Sequence, residues 1–167
     1  VQTYSHAILT WAATAALPPA TRIAAVVGAV LPDVPMIVAF VILKSRPDWS
    51  WQLFEEYYER PVLAVPTNLL HSWFVVSLLA LAIWLWPHPI GLGLVLGLGG
   101  HAIVDTLTHV SDARPLLWPI APWIVRGPVS YWEPQYGARW FFLFEHGLDL
   151  LALAFTGLQV WQRFFRA

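Results

Sequence analysis

The chain of 167 residues has no cysteine. That excludes disulfides and thiolate metal ligands, and it leaves the redox compartment open. Charge is scarce too. Only 11% of the residues are Asp, Glu, Lys or Arg, against about 25% in a soluble domain, so the charges are too few to cover a soluble surface. The formal net charge of −1 gives no electrostatic footprint for nucleic acid, and no nucleic-acid partner is expected. No Gly-x-Ser-x-Gly elbow is present. The Gly-x-Gly spacings between Gly91 and Gly100 lie in an apolar run with no following lysine or acidic ribose ligand, which argues against a nucleotide loop. The first residues lack a basic n-region and carry Tyr4 and His6, so they do not read as a signal peptide. No internal repeat is visible.

What remains is apolar and aromatic. The chain is 58% hydrophobic with eleven tryptophans, and its mean hydropathy is +0.60. Tryptophan concentrates at membrane interfaces, so membrane lipids are the expected surroundings. The length suits one domain, read here as a single transmembrane metal-site domain over 1–167. Residues 4–17 are apolar but too short to span; Thr3 or Ser5 could cap them, and Pro18-Pro19 ends them. Residues 20–43 are long enough, with Leu31-Pro32-Asp33-Val34-Pro35 inside. That interruption predicts two half-helices meeting at Asp33, which would cap the second. Residues 44–61 interleave charges with Trp49, Trp51, Phe54, Tyr57 and Tyr58, the pattern of an interfacial helix. Residues 62–86 form the next span, and Pro87-His88-Pro89 turns into a glycine-rich span over 90–110 that allows close packing. Residues 111–138 are Pro-rich and aromatic, and read as a packed loop. Residues 139–162 form the last span, ended by Arg163 and Arg166. The fold class is therefore an all-α integral membrane helical bundle. It has about four spans plus a short N-terminal helix and an interfacial helix.

Within this greasy chain, His101, Asp105 and His109 recur at every fourth residue. On a helix that puts each side chain roughly 40° from the last, as one stripe of imidazole and carboxylate donors. Such donors suit a metal, and ionisable residues at membrane depth are function candidates. Threading the spans through one membrane puts loops 44–61 and 111–138 on the same side. His71, Asp33, His101, Asp105, His109 and Glu145 then all fall within roughly 15 Å of that surface. That side also holds Lys44, Arg46, Arg60, Arg114, Arg126 and Arg139, against Arg22, Arg163 and Arg166 opposite. The positive-inside rule makes it cytoplasmic.

Each candidate also has a plainer reading. His101 and Asp105 could simply hydrogen-bond between helices; two ligand types at i and i+4, with His71 at matching depth, favour metal. His109 reads as ligand, as proton-transfer group or as helix cap. Asp33 can cap a helix and still offer an oxygen to a metal. His6 lies on a segment of unknown depth. Glu145 reads as a general base or as the partner of Arg114, Arg126 or Arg139. His146 points about 100° from Glu145 and reads as packing, and His88 as surface.

The order Ser5-His6, Leu31-Pro32-Asp33, His71-Ser72, His101-x-x-x-Asp105 and Leu116-Leu117-Trp118-Pro119 resembles the membrane-bound metal-dependent hydrolases, also described as LexA-binding, inner-membrane-associated hydrolases. Ser130-Tyr131-Trp132-Glu133-Pro134 and Glu145 look like a branch of that family. Two departures stand out: Pro35 where the family often has a second Asp, and Pro66-Thr67-Asn68 where it often has His-Arg-Gly. The resemblance implies a hydrolase of a bacterial or archaeal inner membrane. Together with the residues, it leads to an expectation of metal-assisted hydrolysis of an ester or phosphoester, with a lipid as a fitting substrate. The expected metal ligands are His6, Asp33, His71, His101 and Asp105. Glu145, His109 and Arg114 are the expected catalytic residues. Zinc is the divalent metal that best suits a His/Asp set without Cys. A metal-binding transporter or channel, and a non-catalytic scaffold, are the alternatives.

Overall fold

Small residues decide where the central helices meet. A computed structural model describes residues 1–165, so Arg166 lies outside the described residues. Helix α2 (Pro19–Val30) and helix α7 (Pro89–Thr108) lie side by side and run the same way. A Cβ at Gly28 would strike the Leu94 carbonyl, one at Gly93 the Thr21 carbonyl, and one at Gly97 the Ala25 carbonyl. Only glycine lets these backbones touch, which is how helices pack where lipid gives no hydrophobic drive.

After α2 the chain turns through a 3₁₀ segment, Leu31–Asp33, into α3 (Val34–Lys44). Together Pro19–Lys44 make one candidate span. Asp33 stands at the N-cap position of α3, but its side chain makes no cap hydrogen bond, so the expected cap does not form. Ser50 does cap the interfacial helix α4 (Trp51–Tyr58), accepting from the Leu53 N–H at 3.0 Å.

The span expected over 62–86 is broken. Helix α5 (Pro61–His71) and helix α6 (Trp73–Leu85) meet at Ser72 with a bend of 52°. Pro66 lies inside α5. Helix α8 (Ala138–Phe165) is the last span, entered through Gly137 at φ 84°, a left-handed turn that suits glycine. Three helical stretches are long and apolar enough to cross a membrane, or four when α5 and α6 count as one.

Helix α1 (Thr3–Ala13) runs parallel to α8. The Ser5 hydroxyl donates to Asp149 Oδ2 at 2.7 Å and the Gln2 N–H to Glu145 Oε1 at 2.7 Å. At the far end Arg22 Nε donates to the Trp11 carbonyl, with the guanidinium 3.6 Å from the Trp11 ring. Neither Thr3 nor Ser5 caps α1; Gln2 holds that position without a side-chain bond. Both hydroxyls are spent on carboxylates of other segments.

The loop over 111–138 contains a two-stranded antiparallel hairpin, β1 (Pro115–Leu117) and β2 (Ala121–Ile124), with Pro115 opposite Ile124 and Leu117 opposite Ala121. Its prolines hid it, since proline is a poor strand signal. Ser72 Oγ donates to the Leu116 and Trp118 carbonyls at 3.2 and 2.7 Å, tying the hairpin to the break between α5 and α6.

The distribution of side chains is inverted relative to a soluble protein. Trp140 is 78% exposed and Leu150 69%, while His101, Glu145 and Asp149 are exposed by 1, 2 and 5%. Apolar side chains face outward as they would toward lipid, and ionisable groups face the bundle interior.

Candidate metal centre

Two histidines are locked by backbone carbonyls. His101, on α7, places Nδ1 2.7 Å from the Ala29 carbonyl of α2, and His71, ending α5, places Nδ1 2.7 Å from the Thr67 carbonyl. A carbonyl only accepts, so both Nδ1 atoms carry hydrogen; the network thereby assigns the tautomers. Both Nε2 atoms are left with lone pairs, and they face each other at 3.2 Å. Asp105 Oδ2 lies 2.8 Å from His101 Nε2 and 3.4 Å from His71 Nε2. Asp33 Oδ1 lies 3.8 and 4.0 Å from the same two atoms.

Four acceptors thus converge on one point, and one donor atom from each lies within 4.8 Å of the others. A proton on His101 Nε2 could bond Asp105 Oδ2, but it would serve His71 Nε2 and Asp33 Oδ1 poorly. A cation meets all four at once. Metal–ligand bonds of about 2.0–2.1 Å at tetrahedral angles put ligand atoms roughly 3.3–3.4 Å apart, and the observed separations of 2.8 to 4.0 Å straddle that value. The buried Asp33, His71, His101 and Asp105 could therefore hold a metal ion.

The next ring of side chains fixes these ligands. Thr3 Oγ1 donates to Asp33 Oδ2 at 2.5 Å, which explains why Asp33 caps nothing. His6 Nε2 lies 3.0 Å from Asp105 Oδ1, the oxygen turned away from the two histidines, and its ring stacks on His101 at 3.9 Å between centroids. His6 is therefore outside the group of four and orients Asp105. Such partners hold ligands in place and raise their basicity.

A cavity of about 410 Å³ opens over the cluster, lined by Asp33, His71 and Asp105 and by His109, Asp112, Arg114 and Tyr131 of the following loop. His109 is the C-cap of α7, with Nδ1 3.2 Å from the Asp105 carbonyl and Nε2 3.7 Å from Asp112 Oδ2. Burial pushes the Tyr131 phenol, tilted against His109, well above its usual range. Hydrogen bonds pin the loop: Gly127 N–H to the His109 carbonyl, Tyr131 N–H to the Thr108 carbonyl, and Ser111 Oγ–H to Glu133 Oε1. For Glu133, loss of solvent pushes the carboxyl up. The Ser111 and Ser130 bonds outweigh that and leave it below the usual range.

The sequence reading and this geometry agree on Asp33, His71, His101 and Asp105. They part on His6, and also on Glu145, which bonds the Gln2 N–H and is absent from the cavity lining. No arginine pairs with Glu145 among the described residues. His146 is bonded to Tyr4 and to the Phe142 carbonyl, and His88 is exposed. From sequence, Thr3 reads only as a helix cap and Tyr131 only as part of the Ser130–Pro134 motif, and Asp112 is not among the expected ligands or catalytic residues. Asp112 follows His109 by three residues, the one sequence signal that could have found it. No family model, no curated protein and no solved structure matches the chain. The molecule is a helical protein with three or four candidate membrane spans and a buried His/Asp cluster that could bind metal.

Proposed function

We propose that the chain is a membrane-embedded, metal-dependent hydrolase of an ester or phosphoester, with a membrane lipid as substrate. The observation that carries this reading is the convergence of four acceptor atoms directly beneath a cavity that His109, Asp112 and Arg114 also line. Zinc suits the two His and two Asp donors. A divalent cation held there supplies a Lewis acid for a carbonyl or phosphoryl oxygen. The chain's own groups do the rest. The Thr67 and Ala29 carbonyls keep His71 and His101 as Nε2 donors. His109 keeps Nδ1 on a carbonyl, so Nε2 is the atom that can take a proton from water and return it to the leaving oxygen. Arg114 offers positive charge to an anionic group. The Lys and Arg residues on the site's side favour a cytoplasm-facing site, and the motif resemblance favours a bacterial or archaeal inner membrane.

A second reading has an observation of its own. Four protein donors can close a tetrahedron, as in structural sites, where a catalytic site keeps one position open. Transport fits less well, because α2 and α7 touch backbone to backbone beside the cluster. The test is metal analysis of detergent-purified protein together with turnover of carboxyl-ester and phosphoester lipids. The expectation is near-stoichiometric transition metal and measurable turnover, both lost in His101→Ala and Asp105→Ala. Metal without turnover on any substrate selects the structural site, and metal-free protein removes both readings.

A further inference from the structure

The cavity over the cluster contains two charged groups that the fold leaves unmet. The Arg114 guanidinium lies 3.9 Å over the Tyr58 ring, and Nη1 reaches Asn68 Oδ1 only at 3.5 Å. Among the described residues its buried Nε and Nη2 have no hydrogen-bond partner. Among the described residues no carboxylate forms an ion pair with it. Two residues earlier, Asp112 uses Oδ2 to accept from Trp132 Nε1 at 3.0 Å, while Oδ1 is buried without a partner. Arg114 and Asp112 line the same cavity without pairing with each other.

Leaving buried charge unsatisfied is costly, so such groups ordinarily have partners. Nε and Nη2 form one edge of the guanidinium, a two-pronged donor that matches two oxygens of a phosphate. Asp112 Oδ1 can only accept, so it calls for an O–H or N–H on the same occupant. Met36, Trp51 and Phe54 supply an apolar wall beside these groups, suited to the start of an acyl chain.

We infer that this cavity is a phosphate-headgroup subsite. The phosphate sits on the Nε/Nη2 edge of Arg114, a hydroxyl or ammonium of the headgroup sits on Asp112 Oδ1, and the chains lie against Met36, Trp51 and Phe54. The inference rests on the hydrolase reading for its meaning, and it selects a phosphoester lipid over a neutral carboxyl ester.

Binding tests it without recourse to turnover. The full chain in detergent is titrated calorimetrically with dihexanoyl phosphatidylethanolamine, dihexanoyl phosphatidic acid, inorganic phosphate and neutral dihexanoylglycerol. Phosphate-bearing lipids should bind at least about 10-fold more tightly than the neutral lipid, and Arg114→Ala and Arg114→Lys should each erase that preference with metal content unchanged. Asp112→Asn should weaken the ethanolamine headgroup but leave inorganic phosphate unaffected, a comparison that holds even if the Arg114 variants fail to fold. Inorganic phosphate binding as tightly as the lipids supports the phosphate subsite and makes a free phosphate ester its occupant. Equal binding of the neutral lipid, or affinity indifferent to both Arg114 and Asp112, overturns the inference. Arg114-dependent binding by metal-free protein keeps this subsite and removes the hydrolase reading. A metal-loaded, active enzyme indifferent to Arg114 does the reverse.

Discussion

At the scale of single residues, the side of a carboxylate that a histidine meets decides its role. Asp105 turns Oδ2 to His101 and His71, and Oδ1 to His6. His6→Gln keeps a polar side chain there but loses the ring and its stack. Metal affinity should fall about 10–100-fold with the ion still binding, whereas His71→Ala should abolish stoichiometric binding; competition with a chelator of known affinity reads both. Glu145→Gln should leave metal content unchanged and lower turnover by less than about 10-fold, since Gln2 N–H still finds an acceptor. A loss of 10²-fold or more would return Glu145 to the role of base. The stripe His101/Asp105 was legible because spacing on a helix fixes direction. Asp33 was legible as a carboxylate at a proline-flanked break inside a span, although the cap expected of it does not form. The split between His6 and the four ligands was not, because it depends on the rotamer of Asp105 and on how far α1 slides along α8.

At the scale of elements, the glycine contact is what brings a metal ligand to its anchor. The same run of α7 that presses Gly93 and Gly97 onto α2 puts His101 under the Ala29 carbonyl. Gly97→Leu should force the helices apart at a cost of about 1–3 kcal/mol, lowering thermal stability and metal occupancy together. Gly100→Ala, where an added Cβ meets nothing within 4 Å, should change neither. Stability gained or metal retained in Gly97→Leu would separate the packing from the site. The glycine-rich run itself announced close packing. Its partner was not readable, since α2 shows only alanines and one glycine among larger residues. The hairpin and the bend at Ser72 were missed for a related reason: each is held by the other, through one hydroxyl and two carbonyls, and neither leaves a local pattern.

For the whole molecule, the inverted burial and the common depth of the ligands require loops 44–61 and 111–138 to share a side. Cysteines at Glu56 and Arg126, both exposed, should react with an impermeant maleimide from the same face of sealed vesicles. Position 127 would be a poor choice, because a Cβ there meets the Leu107 carbonyl. Labelling from opposite faces would dismantle the threading. Glu145 and Asp149 lie on α8, and the donors that meet them, Gln2 N–H and Ser5 Oγ, stand 143 and 144 residues earlier at α1. The helices between them are all made before that pair of bonds can form. Until α8 is in place the Ser5 hydroxyl and the Gln2 N–H wait for these acceptors, so the pairing of two buried carboxylates has to form late.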